Sequence, residues 1–137
     1  MVLLYVAVPC IIGIVVGRLN IPTYWRLLNE GQATRATVDR TTCDNHGTLF
    51  YRFTVAERAY TGWGSAGFGT PACGHFKPGD PIVVYYLPSD PTVSRPGEIR
   101  DRWDNEVISV VLAVTVLPAF LTVIVWSRWP RPEAGVR

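Results

Sequence analysis

Uncharged residues run without a break from Val107 to Trp126 and from Val2 to Gly17, and between these stretches apolar positions recur at every second residue. The first pattern belongs to a membrane span. Twenty uncharged residues from Val107 make about 30 Å of helix, the thickness of a bilayer's hydrocarbon core. Val2 to Gly17 is shorter; it reaches the far interface where the bilayer thins, or where the helix continues through Arg18 and Asn20 with Arg18 snorkelling. A small domain has no room to bury an uncharged helix of this length on all sides, which excludes an ordinary soluble core.

The tryptophans agree with two spans. Trp25 follows the first segment, Trp103 precedes the second, and Trp126 and Trp129 lie at its end; indole rings favour the headgroup layer, and Tyr5 and Tyr24 fit the same belts. No Lys or Arg precedes Arg18, and Gly17-Arg18-Leu19-Asn20 is a poor processing site, so the first segment reads as a retained signal anchor rather than a cleaved leader. Arg128, Arg131 and Arg137 place the C-terminal tail in the cytoplasm by the positive-inside rule, with the N-terminus on the same side. Arg18 and Arg26 argue the other way, but the intervening segment is too long for loop charges to decide. Pro118 removes a backbone donor near residue 114 and predicts a bend in the second span.

The middle reads as antiparallel β-structure. Thr34 to Arg40 alternates small or apolar with polar residues; Leu49, Tyr51, Phe53 and Val55 share one face of a second strand; Ala59-Tyr60-Thr61 returns as the other arm of a hairpin. Pro78-Gly79-Asp80-Pro81 is a turn, Ile82 to Tyr86 is a β-branched and aromatic central strand, and Pro88-Ser89-Asp90-Pro91 ends it. Gly and Pro are too frequent from Gly62 to Gly79 for a helix, so that stretch reads as a flexible, aromatic-bearing loop. The predicted organisation is a first helix and interface over 1–25, a β-domain over 26–102, a second helix over 103–127 and a tail over 128–137. Within the domain, four to six short strands close into a small barrel or rolled sheet, which hides their edges.

The order of these elements carries a resemblance. A first span, an Ala-Thr-Val strand, an aromatic strand leading to Tyr60-Thr61-Gly62, the run from Gly79 to Pro91 and a final span together resemble the bacterial family called domain of unknown function 3592. Its most specific part is Gly-Asp-x-apolar-x-Val-Tyr-Tyr-x-Pro-x-x-Pro at 79–91. Where members of that family tend to have a glycine in the first hairpin's turn, this chain has Ala56-Glu57-Arg58. The resemblance implies a fold and no chemistry.

Charge narrows the function classes. Arg18 to Glu106 holds ten basic and ten acidic residues, so the region lacks the net basic charge that nucleic-acid binding uses. Twelve of the thirteen basic residues are Arg, which with abundant Pro and Gly points to a GC-rich bacterial genome. Gly62-Trp63-Gly64-Ser65-Ala66-Gly67 matches a dinucleotide fingerprint in letters only, because Gly67, Gly69 and Pro71 prevent the helix whose N-terminus would hold a pyrophosphate. No cofactor is expected.

Cys10 lies within the first span, whereas Cys43 and Cys73 fall in the β-domain. In an oxidising compartment the latter two predict a disulfide. Each also has a histidine nearby, so Cys43, His46, Cys73 and His75 offer two thiolates and two imidazoles to a metal, at spacings unlike the usual zinc knuckles. No nucleophile–base set assembles around the two histidines. Contact residues are then the candidates: Trp63 and Phe68 on the Gly-rich loop, and Gly13 and Gly17, whose small-xxx-small spacing allows close helix approach to the second span or to a partner. The expectation is a non-enzymatic, two-span protein of the bacterial inner membrane with its β-domain outside the cytoplasm, touching lipid and other membrane subunits. The alternative is a thiol- or metal-dependent enzyme or sensor built on the cysteines and histidines.

Overall fold

The computed structural model describes the backbone of residues 2–44 and 47–128, and within it the side chains of all but 2–9, 12, 16–19, 117 and 125. Two long helices carry a five-stranded sheet: α1 (Val2–Glu30), β1 (Gln32–Thr42), β2 (Thr48–Val55), β3 (Arg58–Ser65), β4 (Pro81–Leu87), β5 (Asp90–Pro96) and α2 (Ile99–Arg128), with a 3-10 turn at Cys73–His75. Only Gly31 separates α1 from β1, and only Gly97 and Glu98 separate β5 from α2. Both helices run past the domain limits that the apolar runs suggest at 25 and 103. The reason is packing, since Leu27 near the end of α1 and Ile99 at the start of α2 bury against Leu87.

The strands are all antiparallel, in the order β3-β2-β1-β4-β5. Alternation puts Ala36 and Val38, Tyr51 and Phe53, Ile82, Val84 and Tyr86 on one face, and these seven form the main core. Burying side chains of this size stabilises a fold by about 1.5–3 kcal/mol each. Phe53 sits at its centre, with ring centroids 5.7 Å from Tyr60 and 5.8 Å from Tyr86. The edge strands β3 and β5 lie side by side, so the sheet curls into a nearly closed barrel.

Glycine makes that seam possible. A Cβ at Gly62 would stand 2.6 Å from the Tyr51 ring and 2.7 Å from the Ser94 hydroxyl, and one at Gly64 would stand 2.4 Å from the Pro96 ring. The stretch Gly62–Ser65 is therefore strand, where its glycines suggest loop; Gly in a strand marks close approach of another backbone. Strand β5 is the other element the sequence pattern does not announce. It begins and ends near prolines, Pro91 and Pro96, which an edge strand tolerates because one side has no ladder to donate to. The β2–β3 hairpin turns through Ala56 (φ 46°) and Glu57 (φ 66°), the left-handed pair of a type I′ turn made without glycine.

The helices pack antiparallel. Gly13 abuts Val114, where an added Cβ would lie 2.1 Å from a Val114 methyl; Asn20 donates to Glu106 at 3.1 Å; and Leu27 meets Ile99. These α1 positions are seven apart, the spacing that keeps one seam on a neighbouring helix. Among the described residues α2 is the one helix long and apolar enough to cross a membrane.

Candidate functional site

The helical stem covers one side of the barrel and leaves the other free. Tyr85 and Val93, on the outer side of β4 and β5, pack against the cluster that Leu87 forms with Leu27 and Ile99 of the stem. The outer face of β1, β2 and β3 has no such cover among the described residues. There Trp63 projects from β3, 63% exposed, directly across from Phe50 on β2. The Arg40 guanidinium lies 3.9 Å from the centre of the Phe50 ring, and that of Arg95 lies 5.9 Å from the centre of Trp63. Arg40, Phe50, Trp63 and Arg95 thus make a continuous stripe across β1, β2, β3 and the seam to β5.

This placement revises the reading of Trp63 as a loop residue. Parity explains it: Tyr60, Gly62 and Gly64 face inward, so Trp63 must face outward. Phe68 does lie in the loop after β3, at φ 40° and 63% exposed. Its flanks are fixed to α2 and to the connection before it, since the Gly67 carbonyl accepts from Arg102 at 3.4 Å and the Gly69 carbonyl accepts from the Glu98 N–H at 2.9 Å. The segment is tethered by its backbone, not the free loop its glycines suggest. Gly13 contacts the second helix of its own chain. Gly17 lies in α1, and its surroundings fall outside the described side chains.

Arg102 organises the junction of stem and barrel. It is 5% exposed, donates from Nε to the Pro96 carbonyl and from a terminal nitrogen to the Ser65 carbonyl, both at 2.6 Å, and lies beside Tyr24 and Tyr51. No carboxylate stands within 4 Å of it among the described residues. Its charge rests on carbonyl dipoles instead, which at charge-assisted strength contribute about 1.5–3 kcal/mol per bond. Tyr24 consequently turns inward and is buried, against the exposed position that an interfacial belt expects, while Trp25 is exposed. Tyr51 shares a 3.1 Å hydrogen bond with Ser94 inside the barrel. Burial pushes the Tyr51 hydroxyl above its ordinary pKa, and the bond to Ser94 opposes that in part. At the surface, desolvation and then the neighbouring Glu98 carboxylate raise Tyr85.

Cys43 and Cys73 are joined as a disulfide, with Cα atoms 5.5 Å apart. It links the end of β1 to the 3-10 turn, and Gly47 packs against it, since a Cβ there would lie 2.7 Å from that of Cys73. With both sulfurs in one bond, neither is a thiolate for a metal. His75 is exposed and rests its Nδ1 3.3 Å from the Ala72 carbonyl, while His46 lies outside the described residues. No group of three His, Cys, Asp or Glu is clustered among the described residues. Trp129, Arg131 and Arg137 also lie outside them, as do the side chains of Tyr5 and Arg18.

The fold defines a class of small β-barrel domain carried on an apolar helical stem. The chain belongs to the family described as domain of unknown function (DUF3592), whose model matches residues 29–97, half of the chain. No curated protein and no solved structure matches it.

Proposed function

We propose that this is a two-span, non-enzymatic protein of the bacterial inner membrane, holding its barrel outside the cytoplasm as an accessory or scaffolding subunit of a larger membrane complex. The observation that carries the reading is the outward face of the helix pair. Ile11, Ile14 and Val15 on α1 and Ile108, Val116 and Phe120 on α2 are all exposed. An apolar surface of this extent belongs in lipid. Trp103 and Trp126 stand 23 residues apart on α2, about 34 Å, which sets one indole at each interface. The hydroxyls of Thr115 and Thr122 donate to carbonyls one turn back, so neither is left unpaired toward the tails. A disulfide in the barrel favours an oxidising compartment, and the C-terminal arginines favour a cytoplasmic tail.

Fluorescent and alkaline-phosphatase reporters fused after Arg137 test the topology. A bright fluorophore and an inactive phosphatase are expected, and the reverse pattern overturns the orientation. Native electrophoresis of membranes extracted in mild detergent tests the role in a complex; migration of the protein as a lone subunit in every detergent would sink it.

A further inference from the structure

The charges of the barrel are not spread as its neutral total suggests. On the outward face of β1, β2, β3 and β5 stand Arg35, Arg40, Arg52 and Arg95 against the single acid Asp39, and Asp39 is already paired with Arg52. Neither Arg40 nor Arg95 has a carboxylate within 4 Å among the described residues. A guanidinium beside an aromatic face presents its in-plane N–H donors edge-on: Arg95 spends one terminal nitrogen on the Ser94 carbonyl at 2.8 Å, and its remaining donors, like those of Arg40, can meet a carboxylate. Trp, Phe and Arg together are also the residue types that dominate binding energy at protein interfaces.

We infer that the stripe Arg40–Phe50–Trp63–Arg95 is the docking surface for an extended acidic segment of a partner protein; the inference rests on the accessory-subunit reading and specifies its partner. Two ladder spacings of about 4.8 Å lead from β1 through β2 to β3, and the seam to β5 adds about one more, so the strands that bear the two guanidinium groups lie roughly 14 Å apart along the sheet surface. An extended peptide advances about 3.3 Å per residue and shows every second side chain on one face. Acidic residues four apart therefore reach both arginines, and the residue midway between them falls over Phe50 and Trp63. The sequence recognised is Asp/Glu-x-apolar-x-Asp/Glu.

The probe is the peptide Ser-Glu-Ser-Phe-Ser-Glu-Ser, with a counterpart carrying Lys for Glu, titrated onto the full chain in detergent micelles labelled with fluorotryptophan. Trp63→Phe assigns the Trp63 resonance. That resonance shifts saturably with the acidic peptide, while the other tryptophans stay in place and the Lys peptide binds at least tenfold more weakly. The double substitution Arg40→Gln, Arg95→Gln reduces the acidic peptide to the level of the Lys one without changing the melting temperature. Equal binding of the two peptides, or an unmoved Trp63 signal, overturns the inference. Displacement of the peptide by polygalacturonate at lower concentration also overturns it, because the surface would then serve an anionic glycan. Micelle binding does not depend on orientation in the cell, so failure here and failure of the topology reporters are separate results.

Discussion

Arg102 on α2 and Ser65 at the end of β3 are joined by a 2.6 Å hydrogen bond across 37 residues of chain, and through it the second helix holds the barrel's seam. The same guanidinium holds Pro96 on the other side of that seam. One side chain thus ties both edge strands to the stem.

Arg102→Ala removes both short donors and strands two carbonyls, and is expected to lower stability by about 3 kcal/mol. Arg102→Lys recovers less than half, because the three donors of an ammonium share one nitrogen and cannot occupy both the Nε and the terminal-nitrogen positions from which Arg102 reaches its two carbonyls. Thermal unfolding in detergent followed by near-ultraviolet dichroism measures both. A loss below about 1 kcal/mol for the alanine variant would show that the junction does not depend on this residue.

Closure of the barrel makes Gly62 and Gly64 sensitive to a single methyl group. Either Gly→Ala change is expected to cost about 1–3 kcal/mol through overpacking against Tyr51 or Pro96. Gly74 has open space around its Cβ position, and Gly74→Ala should stay within about 0.5 kcal/mol of the parent. Denaturant midpoints for the three variants decide the point, and equal effects would argue against a closed seam.

The turn between β2 and β3 places two non-glycine residues in the left-handed region, which costs roughly 1–2 kcal/mol per residue. Ala56→Asn with Glu57→Gly supplies the pair that type I′ hairpins favour. A gain of about 1 kcal/mol is expected, smaller than the strain relieved because glycine also gains freedom in the unfolded chain. An unchanged or lower melting temperature would contradict the turn type.

Stability should fall in alkali. Tyr51 and Tyr85 both have pKa values raised in the folded state, so the folded protein holds its phenolic protons more tightly than the unfolded chain. Their contribution is complete below the unfolded value of about 10 and is lost as pH rises through the folded values. Urea titrations between pH 8 and 11 should show the decline, and Tyr51→Phe should flatten it while losing about 1 kcal/mol with the Ser94 bond. A steeper decline in Tyr51→Phe would refute the assignment.

Strands β1 and β2 are legible in the sequence because their apolar and polar positions alternate, and β4 because its β-branched and aromatic run is bounded by two proline turns. β5 is not, because its prolines resemble loop punctuation until β4 is known to cover just one of its edges. Gly62 and Gly64 look like flexibility and prove to be clearance, a distinction that depends on what lies across the seam. The outward side of Trp63 follows from parity once β3 is known to extend to Ser65. Arg102 is the least legible residue: in sequence it is one charge among several near a span, and its carbonyl partners lie far along the chain. Tyr24, placed by its position as an interfacial residue, is drawn inward by the same junction.

The connections at Gly31 and at Gly97-Glu98 leave almost no slack between stem and barrel. With Arg102 bracing the second of them, the barrel is fixed on its helical stem and has little reach. Trp63 therefore presents itself at one height and one azimuth relative to the helices, and whatever meets it has to arrive already facing the right way. A loosely tethered domain searches a volume; this one holds a single bearing.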